Sequence, residues 1–154
     1  MSLYRVEKVP ARTTLLLTDG SRLSGSVFLS DFSPTRAGPQ TVVDVMTDGT
    51  PLLAFETEEG LFLVVGKDHV AALETPLEAS SASGFLMKVP ARLRLSGGHA
   101  VEGTLLVKEG PGIRFSDALN AAEPWIALET GRSLFWVSKA HILVAGTESQ
   151  RTSS

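Results

Sequence analysis

A chain that repeats itself is expected to fold as copies of one unit, and this chain repeats itself over almost its whole length. Val9-Pro10-Ala11-Arg12 returns as Val89-Pro90-Ala91-Arg92. Ser24-Gly25-Ser26-Val27-Phe28-Leu29 is answered by Glu102-Gly103-Thr104-Leu105-Leu106-Val107, and the segment from Pro51 to Thr57 by that from Pro124 to Thr130. Asp44 answers Asp117. The stretch from Leu61 to Leu73, containing Gly66-Lys67-Asp68-His69-Val70, answers Leu134 to Val144, containing Ser138-Lys139-Ala140-His141-Ile142. The spacing falls from 80 (89 − 9) to 78 (103 − 25), then 73 (124 − 51) and 72 (141 − 69), each fall being a deletion in the second copy. The largest lies after the second strand, where the first copy runs from Asp31 to Gln40 and the second has only Glu109-Gly110-Pro111-Gly112, as expected of a surface loop. Residues 1–76 therefore read as the first copy, 77–87 as a linker with room for a short helical turn, 88–147 as the second copy, and 148–154 as a polar tail expected to fray.

Within each copy the pattern is that of strands. Ala91, Leu93 and Leu95 alternate with Arg92, Arg94 and Ser96, a period of two that buries one face. Arg12 and Arg92 fall on the outward face, where ion pairs between copies are expected. Asp19-Gly20 and Gly97-Gly98 supply the positive-φ residues of tight turns, so Arg22 to Ser30 and Ala100 to Lys108 should return antiparallel. Gly25 and Gly103 fall inside those returning strands, where glycine marks a sharp bend or a close backbone approach. Short strands are expected near Thr41 to Val45 and Gly112 to Ser116, followed by Leu52 to Thr57 and Trp125 to Glu129. The fold class expected is all-β, as two tandem small bent antiparallel barrels.

The last strands of each copy differ from the first. Leu61-Phe62-Leu63-Val64-Val65 and Leu134-Phe135-Trp136-Val137 are apolar on both faces, which implies burial on both sides. A barrel of about seventy residues is too small to cover both faces from its own core. The sister copy or another chain must do so, and pairing through edge strands into a homo-oligomer is the economical arrangement.

Composition narrows the function. A net charge of −3 disfavours a protein whose main task is neutralising phosphates, so nucleic acid is not the favoured partner. There is no cysteine, which excludes disulfides and thiol chemistry. Met1 to Pro10 has no apolar core behind a basic patch, and no uncharged apolar run approaches the roughly 20 residues of a membrane helix, so a cytoplasmic protein without membrane contact is expected. No nucleophile elbow, phosphate loop, dinucleotide fingerprint or His-Glu-x-x-His segment occurs; neither enzyme activity, a cofactor nor a metal is expected.

Leu17-Thr18-Asp19-Gly20-Ser21-Arg22-Leu23-Ser24-Gly25-Ser26-Val27 resembles the first signature of the Sm-like family, a strand, a turn glycine and a second glycine five residues on. Lys67-Asp68-His69-Val70 and Lys139-Ala140-His141-Ile142 resemble its second signature in bacterial form, the lysine-histidine segment of the host-factor RNA chaperone. The resemblance implies a bent five-stranded barrel of SH3-like type, assembly through the fourth and fifth strands into rings, and RNA at the pore. Gly66-Lys67 and Ser138-Lys139 stand where eukaryotic members have Arg-Gly, and no aromatic residue sits beside the lysines to stack a base.

Candidate RNA-binding or ligand-binding residues are Lys67, His69, Lys139, His141, Asp44, Asp117 and Asn120. Each has a plainer role to weigh against it. The histidines can bond backbone at a strand junction, the lysines can be simply solvated, and Asp44, Asp117 and Asn120 can make local turns. Candidate interface residues are Leu61, Phe62, Leu63, Val64, Val65, Leu134, Phe135, Trp136 and Val137, with Trp125 and Trp136 filling a core or interface. The expected function is a non-enzymatic Sm-like scaffold or binding module that oligomerises by strand pairing. The alternatives are an RNA-binding ring using Lys67 and Lys139 near a pore, and a small-ligand-binding barrel.

Overall fold

Two long hairpins set the frame. In the computed structural model, which describes residues 8–30, 40–77, 87–108, 114–121 and 123–147, β1 (Lys8–Leu17) turns into β2 (Arg22–Ser30) and β6 (Met87–Leu95) into β7 (Ala100–Val107). Gly20, Gly97 and Gly98 all adopt positive φ at these turns, which residues with a Cβ rarely do. Ala91, Leu93 and Leu95 are buried while Arg92 and Arg94 are exposed, so the period-two reading holds residue by residue. The turn bonds Leu17 N–H to Ser21 O and Leu95 N–H to His99 O make Leu17 and Leu95 counterparts, 78 residues apart (95 − 17). The repeated Val-Pro-Ala-Arg thus lies two residues farther from the turn in the first copy; two residues is one pleat, so the faces are kept.

Gly25 and Gly103 mark close backbone approaches, one of the two roles their position in a strand suggests. A methyl group at Gly25 would overlap the Glu56 carbonyl, and one at Gly103 the Glu129 carbonyl, because β3 (Leu52–Thr57) and β8 (Trp125–Glu129) pass directly against the glycine backbone. Each half continues with β4 (Phe62–Gly66) or β9 (Ser133–Ser138), a single 3-10 turn at Lys67–His69 or Lys139–His141, and β5 (Val70–Pro76) or β10 (Ile142–Gly146).

Where short third strands were expected, helices stand instead: α1 (Val42–Met46) in the first half and α2 (Phe115–Leu119) over the described part of the second, Gly112 and Ile113 lying outside the described residues. For α1 the reason is a capping box. The Thr41 hydroxyl accepts from Asp44 N–H at 3.2 Å while the Asp44 carboxylate accepts from Thr41 N–H at 2.8 Å, which satisfies backbone donors that a strand would have had to pair elsewhere. Val42 and Met46 then drop into the core.

All ten strands join one open antiparallel sheet in the order β10-β6-β7-β8-β9-β5-β1-β2-β3-β4. The first half contributes β5-β1-β2-β3-β4 and the second β10-β6-β7-β8-β9, the same order twice, joined where β9 pairs with β5. The two hydrophobic cores interlock across that joint. Leu16, Ala71 and Ala72 of the first half belong to the core of Leu93, Leu105, Leu128 and Val137, while Trp125 and Trp136 of the second half pack against that of Leu15, Phe55 and Leu73. Leu77 follows β5 and Met87 opens β6; the rest of the expected linker, its helical turn, and the tail at 148–154 lie outside the described residues. No helix among the described residues is long and apolar enough to cross a membrane.

Candidate assembly interface

The joint between the halves covers the apolar final strand of the second copy, β9. β5 and β9 pair antiparallel from Ala72 opposite Val137 to Pro76 opposite Ser133, and the Ser133 hydroxyl donates to Glu74 Oε2 at 2.6 Å. Beside this ladder, two imidazoles of the second half bond backbone carbonyls of the first: His99 Nε2 meets Leu17 O at 2.7 Å and His141 Nε2 meets Asp68 O at 2.6 Å. Between them the turn at Gly97 lies so close to Leu17 O and Gly20 N that a Cβ would come within 2.7 and 2.8 Å of them. Neither His99 nor Gly97 was marked by the sequence as anything but a turn, because their partners are about eighty residues away.

The counterparts of these joint residues are known from the ladders. β5 and β10 are offset by 72 (144 − 72), since Leu15 faces Leu73 as Leu93 faces Ala145, and His69 and His141 close equivalent turns with the same offset (141 − 69). At the joint Leu134 is 5% exposed and Ala72 is 0% exposed; their counterparts at the sheet ends, Phe62 and Val144, are 63% and 52% exposed. Leu61, Val64 and Leu143 are exposed as well. Of the expected interface residues, therefore, Leu134, Phe135, Trp136 and Val137 lie in the joint, while β4 is an open sheet edge with Leu61 just before it: Phe62 and Val64 face outward, Leu63 packs half-buried against the first core and Val65 is buried.

The seven candidate ligand residues do not converge on one site. The Lys67 ammonium is buried, 7% exposed, rather than solvated: it donates to Val45 O, to Asp48 Oδ1 at 2.7 Å and to the Thr50 hydroxyl at 2.7 Å, tying the end of α1 to the start of β3. Burial acts to raise the Asp48 pKa, but the Lys67 ammonium, the Thr50 hydroxyl and N–H, and the Lys67 charge outweigh it and lower it to about 2. Lys139 reaches Ala121 O at 2.6 Å in the corresponding place after α2. Asp44 belongs to the capping box, Asp117 pairs with Arg114 at 3.3 Å, and Asn120 caps α2 through its backbone N–H. His141 makes the backbone bond described above, across the two halves rather than within one. His69 is exposed and makes no side-chain hydrogen bond among the described residues. The outward arginines pair within their own halves, Arg12 with Glu58 and Arg92 with Glu102, both at 3.3 Å; neither of these two ion pairs is the pair between copies that the sequence led us to expect.

A groove of about 430 Å³, lined by Leu16, Arg22, His99, Glu102, Thr130 and Phe135, opens beside the joint and contains none of the seven. Among the described residues no group of three His, Asp or Glu side chains is placed to hold a metal. No family model matches the chain, and neither a curated protein nor a solved structure matches it.

Proposed function

We propose that the chain is a tandem Sm-like scaffold without enzymatic activity, two bent five-stranded barrels that assemble with further copies through the strand edges β4 and β10. One observation carries this reading: residues of the kind buried at the internal joint recur, apolar and uncovered, at both ends of the sheet. An edge strand with exposed Phe62 and Val64 presents both unpaired backbone groups and apolar surface, a combination that monomeric sheets avoid. Burying side chains such as Phe62 and Val64 is worth about 1.5–3 kcal/mol each when complete, enough to drive association at ordinary protein concentrations once backbone pairing is added.

The placement of the lysines supports a scaffold over an RNA ring. A Lys67 ammonium already bonded to Val45 O, Asp48 and Thr50 would have to leave all three to reach phosphate. Multi-angle light scattering across a concentration series tests the assembly, with a mass rising through whole multiples of the chain as the expected result. A mass that stays at one chain up to the highest soluble concentration overturns it. A filter-binding titration with single-stranded RNA at low salt tests the rest; tight binding that weakens steeply with salt would restore the RNA reading.

A further inference from the structure

Resting on that reading of β4 and β10 as joint-forming edges, we propose that His69 is the latch between chains, its Nε2 donating to the backbone carbonyl of Ala140 in the next copy. The internal joint supplies the template. There His141, closing the second 3-10 turn, places Nε2 2.6 Å from the carbonyl oxygen of Asp68, in the middle of the first 3-10 turn. With the offset of 72, the counterpart of His141 is His69 and the counterpart of Asp68 is Ala140 (140 − 68). The acceptor is backbone, so the change from Asp to Ala leaves it intact. His69 is exposed and its ring is unbonded among the described residues, the state expected of a donor whose acceptor belongs to another molecule.

The same offsets fix the polarity and register. Leu73 opposite Trp136 at the internal joint becomes Ala145 of one chain opposite Val64 of the next, so chains join head to tail, β4 on β10, and not edge to like edge. The hairpin end of the joint does not transfer as well. The place of Gly97, where a Cβ would stand 2.7 Å from Leu17 O, is taken in the first half by Asp19, which has a side chain. The place of His99 is taken by Ser21, whose hydroxyl and N–H both already bond the Asp19 carboxylate. The joint between chains is therefore looser at its hairpin end than the internal one, and His69 is left as its directional polar contact.

The absence of cysteine makes a clean test. Val64→Cys in one preparation and Ala145→Cys in another should cross-link on oxidation when mixed, and neither should do so alone. Cross-linking of Val64→Cys with itself overturns the head-to-tail arrangement. In sedimentation equilibrium, His69→Ala should weaken association about threefold to tenfold, the worth of one hydrogen bond, and His69→Gln, which keeps a side-chain N–H donor, should recover part of it. The urea midpoint of dilute His69→Ala should match wild type, because the ring bonds nothing among the described residues of the single chain. Wild type that associates while His69→Ala associates equally well overturns the latch and leaves the assembly standing. Wild type that never associates removes the assembly reading itself.

Discussion

Lys67→Met tests whether a buried ion pair, rather than a pore, explains the lysine between β4 and β5. Methionine keeps most of the side-chain volume and removes the ammonium from Val45 O, Asp48 and Thr50. The magnitude follows from Asp48. Lowering its pKa from 3.8 to about 2 corresponds to about 2.4 kcal/mol at 1.36 kcal/mol per unit. About a third of the Asp48 side chain meets water, 35% against 7% for Lys67, so screening reduces the share due to the pair to about 1–1.5 kcal/mol. Leaving Val45 O without its donor adds to the loss, and about 1–2 kcal/mol in all is expected at pH 7. Because the folded pKa of Asp48 is lowered, its contribution is complete above about pH 4 and disappears as the pH falls through about 2. Urea unfolding followed by tryptophan fluorescence at pH 7, 4 and 2.5 should therefore show a wild-type advantage over Lys67→Met that narrows below pH 4. Equal midpoints at pH 7, or a difference that stays constant down to pH 2.5, would refute the argument.

Three other outcomes follow from the same geometry. Gly103→Ala should lower the thermal midpoint by several degrees or prevent folding, since its methyl overlaps the Glu129 carbonyl and only backbone can yield; a midpoint unchanged in calorimetry would mean that β7 and β8 do not cross so closely. Phe62→Lys combined with Val64→Lys should abolish association in light scattering while circular dichroism and the urea midpoint of the dilute chain stay near wild type, because both side chains are exposed in the single chain. His141→Ala removes the bond to Asp68 O and should cost about 0.5–1.5 kcal/mol in urea unfolding; an unaltered midpoint would show that this bond adds nothing to the internal joint.

Much of this architecture is written locally. The alternation of Ala91, Leu93 and Leu95 with arginines, the glycines of the hairpin turns, and Gly25 and Gly103 within strands each act on neighbouring residues, and each reappears in the fold as read. The third segment was misread although its signal was present: Thr41 and Asp44 stand at capping-box spacing, but the valines between them suggested a strand. The solvated lysine failed for a different reason. A lysine looks the same in sequence whether it meets water or three acceptors, and Val45, Asp48 and Thr50 lie about twenty residues before Lys67.

Doubled strand order and doubly apolar final strands are properties of the chain itself, fixed by patterning that acts within a few residues. Which of those strands is covered is not. β9 and β4 carry similar apolar runs, yet β9 is sealed against β5 and β4 is open, because the chain has only one internal joint to make and a ten-stranded open sheet must leave two edges. The fates of His99, His141 and His69 divide along the same line: identical chemistry, bonded where the tertiary structure brings a carbonyl and, at the sheet end, without a partner among the described residues.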